Sequence, residues 1–164
     1  MNAARSGAPL RIVGLGLFWQ ELAVGDRFRT FRRTITEADL VGFIGVTGML
    51  EAIFIDTTYE GGAIAGRPVP AALTYALVEG LILQSMMQGT GLALLEVHKR
   101  ILKPVLVGDS VAAEIEILEV RPTSRGGRAV VVSRVDILNQ RSEMVISYTV
   151  SRLLKGRPPA AAAE

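Results

Sequence analysis

The chain has 164 residues, enough for one domain with a real core, and no cysteine, which excludes a disulfide framework, thiolate chemistry and a Cys-ligated metal. Its 18 basic and 16 acidic residues leave a formal charge of +2, the basic ones are scattered and aromatics make up 5%, a composition that speaks against nucleic acid as a partner. The single histidine excludes an intrachain histidine cluster, and with no charged, cleavable apolar leader at the start the expectation is a cytoplasmic protein.

Residues 1–9 are small and polar, and residues 156–164 carry Pro158, Pro159 and four alanines, so both ends read as fraying tails around one domain over residues 10–155. Leu10 to Trp19 is apolar, but Gly14 and Gly16 lack the third glycine and preceding strand of a dinucleotide fingerprint, which leaves a loop or short edge segment. A turn at Val24-Gly25-Asp26 leads into a first strand, Arg27 to Ile35. Thr36 with Asp39 three residues on has the pattern of a capping box, predicting a short helix to about Gly45. Met49 to Gly66 has no clear period and is punctuated by Gly61, Gly62 and Gly66. It reads as an ordered loop that carries Met49, Glu51, Phe54, Asp56 and Tyr59, and ordered loops of that length inside compact domains are commonly functional. The glycines lack the Gly-Lys-Ser/Thr ending of a phosphate-binding loop.

Pro70 sits where a helix tolerates proline, in the first turn, and the stretch from Ala71 to Gln88 is apolar on every side. Leu73, Leu77 and Leu81 fall on one face and Tyr75, Val78, Ile82 and Met86 on another. The stretch is short for a bilayer span and carries Glu79 in its middle, so it predicts a core helix, buried all round, and no membrane partner. Beyond it the period becomes two. Strands are predicted over Leu94–Leu102, from Val111 (with Ala113, Ile115 and Ile117 inward), over Ala129–Leu138 and over Met144–Leu154. The last three, joined by short turns, make an antiparallel meander. A curved antiparallel sheet wrapped around one long helix is an α+β architecture.

Several segments, in order over roughly Phe18 to Leu154, resemble the MaoC-like acyl dehydratases and (R)-specific enoyl-CoA hydratases of the hotdog fold. They are FWQELAVGDRF, TITEADLVGFIGVTG, GGAIAGRPVPAAL, KPVLVGDSV and VRPTSRGGRAVVVSRVDILNQRSEMV. The resemblance implies an acyl-CoA or acyl-carrier-protein thioester as ligand, no cofactor, no metal, and a homodimer or higher homo-oligomer with pockets at the subunit junction, a hetero-oligomer being the alternative. In the family the loop after the short helix reads approximately Gly-Asp-x-Asn-Pro-x-His, and its aspartate and histidine manage the water and protons of hydration. Here it reads Gly48-Met49-Leu50-Glu51-Ala52-Ile53-Phe54, with Met49 at the aspartate position and Phe54 at the histidine position. Neither side chain carries a titratable proton. Where the family commonly has His-Gly at the start of the long helix, this chain has Pro70-Ala71, and the Ala71 N–H remains as a group able to polarise a thioester carbonyl.

Glu79 lies nine residues after Pro70, the spacing at which a class of hotdog thioesterases with a His-Gly-Gly start carries its acid; burial would raise its pKa. The alternative is a structural pairing with an arginine or a backbone group at the dimer contact. Asp56 and Glu51 are further candidates for the missing acid, Thr47 and Tyr59 for hydroxyls toward a ligand, and His98 is expected on a solvated strand face beside Glu96 and Arg100. Three functions stay open: a thioester-binding protein with altered or lost hydratase activity, a thioesterase using Glu79, and a non-catalytic subunit that shapes the acyl pocket of a partner.

Overall fold

The computed structural model describes residues 12–124 and 126–158. Residues 1–11 and 159–164, which hold most of both expected tails, lie outside the described residues. Gly156 and Arg157, expected to fray, are held instead. The Gly156 N–H donates to the Gly127 carbonyl, the Arg157 N–H to Gln20 Oε1, and the Arg157 guanidinium pairs with Glu21.

In chain order the elements are β1 (Arg27–Arg29), β2 (Arg33–Thr34), α1 (Glu37–Thr47), α2 (Ala52–Ile55), α3 (Ala71–Ile82), β3 (Gly91–Ile101), β4 (Ser110–Pro122), β5 (Arg128–Leu138) and β6 (Met144–Lys155). All six strands pair antiparallel in the order β1-β4-β5-β6-β3, with β2 also on β4. The predicted meander is β4-β5-β6, and β3 crosses to the far edge to pair with β6.

The single strand predicted over Arg27–Ile35 is broken in two. Phe28 faces Ile115 but Arg33 faces Val111, so five steps on one side match four on the other. At the extra residue Thr30 gives its N–H to the Ala113 carbonyl and accepts the Ala113 N–H on Oγ1, the substitution of side chain for ladder that marks a bulge. The loop from Met49 also holds a turn of helix, α2, that the lack of period had hidden. The predicted cap of α1 forms as drawn. Thr36 Oγ1 accepts the Asp39 N–H, and Asp39 Oδ2 accepts the Thr36 N–H. The helix closes on Gly48 at φ 70°, a conformation that favours glycine.

Register separates the two sheet faces. Ala113, Ile115 and Ile117 of β4, Val131, Val135 and Ile137 of β5, and Ile146, Tyr148, Val150 and Leu154 of β6 lie across from one another and form the buried face. Glu114, Glu116, Arg134 and Asp136 point the other way and pair on the solvated face. α3 lays Leu73, Val78 and Ile82 on the buried face. The expectation of burial all round is not met in the single chain: Ala72, Ala76, Gly80 and Leu83 are exposed, because the sheet covers only one side of the rod. After Ile82 the helix widens into a π-turn, Leu83–Met87. Its last carbonyls are taken up by the segment before the first helical turn: Gly16 N–H donates to Gln88 O at 2.8 Å and Leu17 N–H to Met86 O at 2.7 Å. A Cβ at residue 16 would stand 2.5 Å from Met86 O, so this approach requires glycine.

Candidate functional site

The N-terminus of α3 opens onto an apolar slot. Leu73 and Thr74 N–H groups bond back to the Pro70 carbonyl, so the helix starts at once after the proline, whose own nitrogen has no hydrogen to leave orphaned. Geometry gives the first helical N–H groups, those of Ala71 and Ala72, no acceptor within the helix, and they make this end the positive pole of its dipole. The slot encloses about 210 Å³ between α2, the start of α3, the end of β3 and the crossing to β4. Phe54, Ile64, Ala71, Thr74, Ile101 and Ile146 are among its walls. Among the described residues the only titratable side chain on it is Lys103, whose Nζ is held by Glu143 Oε1 at 2.7 Å.

A wider cavity of about 800 Å³ adjoins the slot through the shared residues Ile53, Ile64 and Pro68, and is walled mainly by the loop after α2. It is larger, faces solvent, carries Asp56 and Glu60, and forms the outer approach to the slot. Arg67 stands in this approach with Nη2 on Glu37 Oε1 at 2.7 Å, which holds the Glu37 carboxyl below its ordinary range, while Nη1 is buried with no hydrogen-bond partner among the described residues.

Of the residues singled out from sequence, Phe54 and Ala71 meet in the slot. Tyr59 and Asp56 lie on the approach. Asp56 Oδ1 accepts the hydroxyl and the N–H of Thr58, bonds that hold its carboxyl below the ordinary aspartate range, the opposite of what a base near neutrality needs. Met49 follows the left-handed Gly48 and is 37% exposed, and it is not among the slot's lining residues. Glu51 is exposed at the start of α2, where its carbonyl and not its carboxylate caps the turn. Thr47 spends its hydroxyl on the Phe43 carbonyl at 2.7 Å. His98 sits on the solvated face beside Glu96 at 2.9 Å.

Glu79 is two turns along α3 from Ala71, facing the sheet. Oε1 accepts the Tyr148 hydroxyl at 2.5 Å, and both carboxylate oxygens accept Arg152 Nη2, at 2.6 and 2.7 Å. Arg152 is 5% exposed. Burial and the Glu79 charge push the Tyr148 phenol far above its ordinary value, so it stays a donor. Tyr75 packs edge-on against Tyr148 and carries Lys99 over its ring, 4.1 Å from the centroid. The fold displays a structural pairing with an arginine, formed within the single chain rather than at the expected dimer contact. Thr74 was not singled out from sequence, and the signal was there: a hydroxyl among the apolar residues of the helix's first turns.

No family model matches the chain. A 3-hydroxybutyryl-CoA dehydratase of Methylorubrum extorquens is 25% identical over 112 residues, 68% of this chain and 71% of the relative. Among solved structures, a MaoC-like dehydratase of Rhodospirillum rubrum superposes with a TM-score of 0.76 at 28% identity, over 87% of this chain and 99% of that one. The (R)-hydratase PhaJ1 of Pseudomonas aeruginosa gives 0.73 at 23% identity, covering 90% and 97%. A Mycobacterium tuberculosis protein with a double hotdog fold gives 0.78 at 16% identity over 93% of this chain and 48% of that one. The chain has the hotdog fold, and it is similar to MaoC-like dehydratases and (R)-hydratases.

Proposed function

We propose that this protein binds acyl thioesters, of CoA or of a carrier protein, with the acyl end in the slot at the head of α3 and with hydratase turnover lost. One observation carries the reading: the slot sits against a helix N-terminus able to polarise a carbonyl, yet among the described residues no carboxylate or imidazole lines its wall. Phe54, at the position of the family's histidine, contributes apolar surface there, and Met49, at the position of its aspartate, contributes no proton. Hydrolysis through Glu79 is not part of this reading, since Arg152 and Tyr148 occupy both of its oxygens.

The assembly we propose is a homo-oligomer joined along β3. That strand ends the sheet with eleven residues, and Leu92, Leu94, Leu95 and Ile101 are each about half exposed on it. A long apolar edge is a template for another strand. The same observations favour a second arrangement, in which the copy across β3 is a different, catalytic hotdog chain and this one shapes its acyl pocket.

The test uses the purified protein alone. Mixed with crotonyl-CoA it is expected to leave the enoyl absorbance unchanged, and with butyryl-CoA to release no free thiol. Either ligand at a hundred times its dissociation constant is expected to raise Tm by roughly 5–10 °C. Rapid loss of the enoyl absorbance overturns the reading, as does a Tm indifferent to every acyl-CoA.

A further inference from the structure

The far end of α3 holds another cavity, which shares no lining residue with the slot or its approach. It encloses about 290 Å³ between the last turns of the helix and the start of β3, with Leu83, Met87, Leu92 and Leu94 on its walls, and the buried pair Glu79 and Arg152 also lines it. Among the described residues no other charged side chain does. Leu83 and Met87 stand at the two ends of the π-turn, a departure from α geometry that is frequent beside functional sites.

Arg152 has more donors than the pair uses. Both bonds to Glu79 leave from Nη2, while Nε and Nη1 donate to nothing among the described residues. Neither nitrogen is fully enclosed: the unmet buried polar atoms are those of Trp19, Arg67, Thr74 and Thr90, and Arg152 lines the cavity. On the other side of the pair the Tyr148 hydroxyl already sits on Glu79 Oε1. The pair is therefore balanced in charge, and what it lacks is an acceptor on the guanidinium.

An acceptor carried on an apolar body suits both the walls and the free donors. Glu79 already neutralises Arg152, so an anion seated here would leave a net negative charge away from water, which is costly. A neutral carbonyl takes the free N–H groups without that cost. We propose that this cavity is a second ligand site, which takes a small neutral carbonyl compound (an amide, ketone or lactone on an alkyl body) hydrogen-bonded to Nε and Nη1 of Arg152. An apolar cavity of about 150 Å³ accepts benzene, which puts the ligand here at roughly six to ten non-hydrogen atoms. The proposed joint along β3 engages backbone groups in the plane of the sheet, whereas the cavity lies on its helix-bearing face.

NMR of the intact protein with isotope-labelled methionine methyls, titrated at neutral pH with hexanamide and with hexanoate, tests this. Met87 lines the cavity, and Met49, Met86 and Met144 do not. Hexanamide is expected to shift the Met87 methyl to saturation, with an affinity about tenfold above that of hexanoate. Leu83→Trp, which fills the cavity from an exposed helix position, is expected to abolish the shift. Arg152→Met with Glu79→Leu is expected to weaken hexanamide by about tenfold, since the free donors are gone. A Met87 methyl indifferent to hexanamide overturns the inference. So does hexanoate binding as tightly or more tightly, or hexanamide binding that neither variant weakens. The wild-type comparison needs no substitution, so a variant that fails to fold does not shield the inference.

Discussion

Glu79 shows how one residue can look catalytic and serve the fold. Its side chain is 14% exposed and that of its partner Arg152 6%, so neither charge has water enough to stand alone. Removing one member of such a pair strands the other, at a typical cost of about 3–5 kcal/mol, whereas replacing both with apolar groups of similar volume is often neutral. Arg152→Met is therefore expected to lower unfolding free energy by about 3 kcal/mol in urea titration, and Arg152→Met with Glu79→Leu to recover most of the loss. A single substitution without effect on the urea midpoint would show that the pair holds nothing. The sequence made plain that a carboxylate in the middle of an apolar helix needs company. It did not make plain that the company was Arg152, 73 residues away, because nothing local records which strand lies under the helix.

At the scale of elements, the β5–β6 hairpin steadies a wall of the slot through one carboxylate that lies outside it. The Glu143 carboxyl accepts Asn139 Nδ2, Lys103 Nζ and Arg141 Nε, which together hold it down to about 2, and Lys103 is a wall of the slot. A folded-state pKa held below the unfolded value means stability present above about 4.5 and lost as pH falls toward about 2. Melting temperature is expected to fall through that interval, and Glu143→Gln to make the fall shallower, measured by thermal melts from pH 6 to pH 2. An acid limb identical in the variant would remove Glu143 from the account. Elements of this kind were unevenly legible. The Thr36–Asp39 box wrote out the start of α1, and the alternation from Val111 wrote out β4, because caps and periods are local. The bulge at Thr30 and the single turn of α2 were not, since one depends on the partner strand and the other is shorter than a period.

For the whole molecule, the sheet and helix follow from pattern, but strand order does not. Period two says that β3 is a strand and is silent on its crossing to β6, where it becomes the open edge. With the edge apolar, the protein is expected to sediment as a dimer. Leu94→Lys together with Leu95→Lys is expected to yield a monomer with unchanged far-UV circular dichroism, since charge on an edge strand blocks pairing. Wild type sedimenting as a single chain would refute the proposed joint. The site was legible to a similar depth. Phe54 and Ala71, singled out by motif position, both line the slot, whereas the unpartnered hydroxyl of Thr74 emerges only when its neighbours' hydrogen bonds are followed one by one.

The bonds from Gly16 and Leu17 to the π-turn also bear on the order of biosynthesis. Translation releases the clasp roughly seventy residues ahead of the carbonyls it fastens, so a growing chain carries the fastening before it carries the thing fastened. When Met86 and Gln88 clear the ribosome, their acceptors meet donors already waiting, and the wide last turn need not pass through a stage in which its end is loose.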